Sequence, residues 1–193
     1  MQLEFDILHA LQTIHNDILD SIMLFVTRLG DGGFIWIVAG LLLLLIPAVG
    51  KESKEHARER RIAGLMILLT LVVEALIVNI GIKNIVGRLR PFQVDTSVIP
   101  LITPGETSFP SGHTASSFAA ATAVFLYKKK PGTIALILAT AIAFTRLYLF
   151  VHFPTDVLAG MIIGIVVAVL MNRFVKPAIV NKINTKMNER LEK

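Results

Sequence analysis

The sequence predicts an all-α protein, a polytopic transmembrane bundle of about six helices, and three observations carry that expectation. Apolar residues make up 54% of the 193-residue chain, and the mean hydropathy of +0.69 lies outside the range of a soluble domain. Five strongly apolar runs, at 34–49, 62–82, 113–127, 132–151 and 157–175, approach the ~20 residues a helix needs to cross hydrocarbon. The runs are continuous rather than alternating. They therefore read as helices, whose backbone groups bond within their own segment, and not as barrel strands.

Taken in chain order, residues 4–20 set Glu4, Asp6, His9, His15, Asp17 and Asp20 among Leu and Ile at helical spacing, the pattern of an amphipathic, interfacial start. Ser21 to Leu29 is apolar but too short to span alone. One helix or a broken pair is expected here, ending at Gly30-Asp31-Gly32-Gly33. The stretch has neither the basic start nor the small-residue cleavage site of a signal peptide. A basic loop at 51–61 precedes the span from Ile62. Lys128, Lys129 and Lys130 separate the next two spans, and Arg173, Lys176, Lys182 and Lys186 lie at the last one's end and in the tail. No linker divides the chain, so 1–193 is read as a single membrane-embedded domain with 1–20 as its amphipathic start and 176–193 as its tail.

Net charge is +5, but its distribution excludes a nucleic-acid partner. By alternation of the spans, the three basic regions share one side, which the positive-inside rule makes cytoplasmic. The opposite loop, from Phe92 to Phe109, contains no Lys or Arg. With no cysteines, disulfides and thiolate metal sites are unavailable.

Three polar blocks stand out against this background: Lys83-(six residues)-Arg90-Pro91, Pro110-Ser111-Gly112-His113, and Arg146-(five residues)-His152-(three residues)-Asp156. Counting spans brings all three to the extracytoplasmic face. Ionisable groups are costly in such a chain, and function is the default reason for them. Lys83 and Arg90, nearly two helical turns apart, are expected to share one helix face that Pro91 terminates, with Arg88 about 140° around from Lys83. Ser111 is expected to cap a helix whose free N–H groups, with Gly112 admitting close approach, suit an anion. Thr155 is expected to cap the helix that places Asp156 near His152. A carboxylate on one imidazole nitrogen fixes the tautomer and frees the other to attack. A His-Asp pair that only caps a helix, and a metal site from His113, His152 and Asp156, are alternatives. Three fixed cations argue against the metal, since they attract a polyanion.

Together the three blocks, in order and spacing, resemble the signature of the type 2 phosphatidic acid phosphatase superfamily. One departure is Thr145, where that family often has Ser. The resemblance implies that His152 is the nucleophile forming a phosphohistidine, that Asp156 orients it, and that His113 is the general acid for the leaving oxygen. It implies that Lys83, Arg90, Arg146, Ser111 and the Gly112 amide hold the phosphoryl oxygens, and that no metal ion or other cofactor takes part. The small size and basic cytoplasmic side resemble bacterial plasma-membrane members of that superfamily. Their partners are membrane lipids, and their substrates are lipid phosphates such as phosphatidylglycerophosphate, undecaprenyl diphosphate or phosphatidate. Glu74 and Asn79 are expected to make interhelical hydrogen bonds rather than line an entrance, and Asp95 and Glu106 to be either lid or solvated residues. Lipid-to-lipid phosphotransfer shares the first half-reaction and stays open. A transporter or flippase ranks behind, because it would distribute polar residues over both faces.

Overall fold

The computed structural model describes residues 1–47, 53–105 and 107–191, and within them every regular segment is helical. The amphipathic start is broken twice. Helix α1 (Gln2–Gln12) stops at Thr13, and Asn16 restarts the chain as α2 (Asp17–Leu29), its side chain accepting from the Leu19 amide at 3.0 Å. After Gly30 a short 3₁₀ turn, Asp31–Gly33, leads into α3 (Phe34–Leu45), and the two helices bend by 45°. At 1.5 Å per residue neither alone reaches across ~30 Å of hydrocarbon, whereas the bent pair does. The expected separate span at 34–49 is thus too short to cross alone and passes the length and hydropathy test only together with α2. Its last two residues lie outside the described chain.

The basic segment from Lys54 to Arg61 is not a loop. Ser53 caps α4 (Lys54–Ala75) by accepting from the His56 amide at 3.2 Å, so these charges ride on its first turns. The helix continues through a π-helical stretch at Leu76–Ile82 into the single turn α5 (Lys83–Val86). A second single turn, α6 (Pro91–Val94), follows, then an irregular loop, α7 (Gly112–Tyr127), α8 (Lys129–Tyr148), α9 (Pro154–Leu170), a π turn at Met171–Val175 and α10 (Lys176–Leu191). Among the described residues, three helical stretches are long and apolar enough to cross a membrane, or four if the α2–α3 pair is one span.

Helix α7 is the axis of the bundle. Every residue from Thr114 to Thr122 is buried, and the small side chains there let α4, α8 and α9 close around it. The main core joins Trp36, Ile67, Leu71, Phe118 and Ile142 from α3, α4, α7 and α8, with Trp36 Nε1 donating to Ser117 Oγ at 3.0 Å. Helix α9 meets α7 through Gly160 and Gly164, a small-residue pair that brings two backbones together without a lipid-side hydrophobic force. A Cβ on Gly164 would lie 2.3 Å from the Ala115 carbonyl oxygen and 2.8 Å from the Ala119 nitrogen. Gly164→Ala is therefore expected to lower the thermal midpoint in detergent. Overpacking of this kind costs about 1–3 kcal/mol, and an unchanged midpoint would mean that α9 slides freely on α7.

Candidate active site

The ends of α5, α8 and the starts of α7 and α9 gather at the end of the bundle opposite Lys128, but not by the route the spacing suggested. Lys83 and Arg90 do not share a helix face. Gly87 takes φ +59°, in the left-handed region that favours glycine, and closes α5 with its amide on the Lys83 carbonyl. The chain then runs extended to Arg90, and Pro91 opens α6 at its first position instead of ending a helix. That turn folds the Arg90 guanidinium back into the bundle. It is buried, and its Nη1 donates to the Val151 carbonyl at 2.8 Å and lies 3.1 Å from His152 Nε2.

His152 is held by a tight turn after α8. The amides of Val151 and His152 both donate to the Arg146 carbonyl, at 3.3 and 3.2 Å, while buried Phe150 adopts φ +57°. A non-glycine residue there costs on the order of 1–3 kcal/mol and persists only where surrounding packing fixes it. Phe150 is packed against Leu8 and Phe153, so α1 supplies that packing. Burial, with Arg146 and Arg90 and against the Asp156 carboxylate, holds the His152 imidazole well below its ordinary pKa, neutral at pH 7.

Asp156, not Thr155, caps α9. Its Oδ2 accepts from the Phe153 amide at 2.9 Å and from Ser108 Oγ at 2.5 Å, and stands 3.6 Å from His152 Nδ1. Ser108 Oγ is also 3.5 Å from that nitrogen. With carboxylate and hydroxyl on the Nδ1 side and a guanidinium on the Nε2 side, the favoured tautomer carries its proton on Nδ1 and its lone pair on Nε2. Distances of this length are common before substrate tightens a site.

Arg88 joins the site from the side. Its Nη1 donates to Asp156 Oδ1 at 2.5 Å and to Thr155 Oγ1 at 2.7 Å, its Nη2 reaches Glu4 Oε2 at 2.9 Å, and its guanidinium lies 4.0 Å over the Phe153 ring. Thr155 in turn donates to Glu4 Oε1 at 2.6 Å, so α1 is clasped to the carboxylate behind the nucleophile. Burial pushes the Glu4 carboxyl up, yet the bonds from Thr155 and Arg88 leave it below the usual range. Asp95 ends α6 and pairs with His9 at 2.7 Å, a second tether for α1; Glu106 lies outside the described residues.

Arg146 is buried and donates through Nη1 to Thr27. Thr145 returns its hydroxyl to the Ile142 carbonyl at 2.6 Å and takes no part. Ser111 caps α7 as expected and is fully buried, its Oγ accepting from Thr114 Oγ1 at 2.9 Å and its amide donating to the Asp156 carbonyl at 3.1 Å. It sits behind the site rather than in it. His113 turns its Nε2 to Asp31 Oδ1 at 2.8 Å.

Lys83, Arg90, Gly112, His113, Arg146 and His152 line one cavity of about 610 Å³. From this polar end it passes Glu74 and Asn79 and continues between α3 and α4 along Ile37, Leu68 and Val72. Glu74 is buried and lines the cavity, and among the described residues its Oε1 has no hydrogen-bond partner. Six of the eight predicted site residues thus line one cavity, and Asp156 stands beside it at His152.

The PAP2 superfamily model matches residues 63–179. The chain belongs to the PAP2 superfamily. It is 29% identical over 171 residues to undecaprenyl-diphosphatase BcrC of Bacillus subtilis, covering 88% of this chain and 81% of that one. It is 30% identical over 167 residues to phosphatidylglycerophosphatase B of the same organism, covering 81% and 75%. Among solved structures, a transmembrane PAP2-type phosphatidylglycerolphosphate phosphatase from B. subtilis superposes with a TM-score of 0.70 at 24% identity, over 91% of this chain and 86% of that one, and shares its fold.

Proposed function

We propose that this protein is a lipid phosphatase that hydrolyses the phosphomonoester or diphosphate of membrane lipids at the extracytoplasmic face, by way of a phosphohistidine on His152 and without a metal ion. The observation that carries this reading is the direction of His152 Nε2, which faces Arg90 at the polar end of a cavity whose other end runs out between α3 and α4. A lipid headgroup fits the first end and an acyl or prenyl chain the second. Names of the relatives point the same way, to diphosphate and monophosphate lipids. Lys54, Arg58 and Arg61 at the far end of α4 favour a cytoplasmic placement for that end.

In the first half-reaction His152 Nε2 attacks phosphorus, and the bond from phosphorus to the lipid oxygen breaks as His113 gives that oxygen a proton. In the second, water attacks the phosphohistidine, its proton passes to His113, and phosphate leaves. Asp156 keeps the His152 proton on Nδ1 throughout. Lys83, Arg90, Arg146 and the Gly112 amide hold the phosphoryl oxygens, where fixed charge supplies most of the rate in phosphoryl transfer. Ser111 contributes by capping α7.

Purified protein in detergent, offered phosphatidylglycerophosphate, phosphatidate and undecaprenyl diphosphate in the presence of a chelator, is expected to release phosphate from at least one of them. Failure on all three, or activity lost to the chelator and restored by a divalent cation, would overturn the proposal.

A further inference from the structure

We infer that Asp31 is a positioning residue for the reaction, the carboxylate partner through which His113 is held and recharged as general acid. The inference rests on the role proposed above for His113. Its basis is a second His-carboxylate pair in the same cavity. His152 presents Nδ1 to Asp156 and Nε2 to Arg90; His113 presents Nε2 to Asp31 Oδ1 at 2.8 Å and lines the same cavity. Among the described residues, His113 Nδ1 has no hydrogen-bond partner, and it is the nitrogen left for substrate.

The backbone around Asp31 is built for this contact. The kink between α2 and α3 puts Gly32 at φ +57° and Gly33 at φ +72°, a conformation side chains with a Cβ rarely adopt. A Cβ on Gly30 would stand 3.0 Å from His113 Cδ2 and 2.9 Å from Ile142 Cγ2, so the glycine lets the turn approach the imidazole. A continuous helix through this point would have carried Asp31 along the α2 axis. The break instead delivers a carboxylate to the first turn of α7, 82 residues away in sequence.

Chemically, the pair does what a neutral acceptor does not. When His113 passes its Nδ1 proton to the lipid oxygen, the ring becomes neutral with Nε2–H still bonded to Asp31. When water attacks the phosphohistidine, Nδ1 takes the water's proton, and the imidazolium that forms is stabilised by the carboxylate. Each cycle returns the proton it removed. The Asp31 side chain is 63% exposed, so the pair adds little to stability and its loss leaves the fold intact.

The test compares Asp31→Asn, Asp31→Glu and His113→Ala on phosphatidate, whose alcohol needs a proton to leave, and on p-nitrophenyl phosphate, whose phenolate does not. General acid catalysis contributes about 10²- to 10⁴-fold, and loss of its partner is expected to remove part of that. Asp31→Asn should lower the single-turnover rate at which phosphatidate phosphorylates the protein by about 10- to 100-fold with KM little changed, leave that rate for the aryl phosphate within about 3-fold, and move the basic limb of its pH profile to lower pH. Asp31→Glu should recover part of the loss. Equal loss of the phosphorylation rate on both substrates, or an unchanged rate on phosphatidate, overturns the inference. If His113→Ala is selective for phosphatidate while Asp31→Asn is not, only the Asp31 role fails; if His113→Ala costs the same on both, the general-acid role itself fails.

Discussion

His152→Ala is expected to abolish lipid phosphate hydrolysis, by at least ~10⁴-fold, because it removes the atom on which the phosphoryl group is carried. A loss of that size is about 5.5 kcal/mol of transition-state stabilisation, more than any single phosphate-holding side chain supplies. The measurement that isolates the cause is an acid-labile, base-stable label on the protein after a rapid quench with radioactive lipid phosphate. Wild type should carry it and the variant none. Since His152 is 2% exposed, a misfolded variant would give the same silence, so His152→Gln, which refills most of the ring's space, is measured beside it with thermal unfolding as a control. A labelled His152→Gln protein would move the nucleophile elsewhere.

Much of this architecture is legible in the sequence, and the parts that are not share one cause. The apolar runs located α7, α8 and α9 to within a few residues, because continuous hydrophobicity and the lysines at 128–130 are local signals. The three polar blocks met at one end because alternating spans permit nothing else. What failed was geometry inside a block: a seven-residue spacing suggested one helix face for Lys83 and Arg90, whereas Gly87 turns the chain between them. Thr155 looked like a cap by composition, but the longer reach of Asp156 to the Phe153 amide takes that place and leaves Thr155 to Glu4. Ser108, Asp31 and Glu4 were missed for a stronger reason. Their partners lie 48, 82 and 151 residues away, and nothing in a local window marks a serine in a polar loop or an acid in a glycine turn as facing a particular histidine.

Asp156→Asn is expected to lower kcat by about 10³- to 10⁴-fold while leaving KM near its wild-type value, the size of effect seen when an oriented imidazole loses its carboxylate. Every partner of Asp156 is a donor: the Phe153 amide and Ser108 hydroxyl on Oδ2, with His152 Nδ1 beyond, and the Arg88 guanidinium on Oδ1. An asparagine must turn its own NH₂ toward one side or the other. Aimed at Arg88, it sets donor against donor at the mouth of the clasp with Glu4. Aimed inward, it opposes a backbone N–H and the Nδ1 proton, and the imidazole relieves the clash by moving its proton to Nε2. That tautomer points a proton at the phosphorus it should attack, and Arg90 no longer has a lone pair to meet. Labelling of the protein should then slow in parallel with turnover. Loss of the cap alone would cost about 1 kcal/mol of stability and hardly touch kcat. A variant within about tenfold of wild-type kcat would therefore leave Asp156 as a cap for α9 and nothing more.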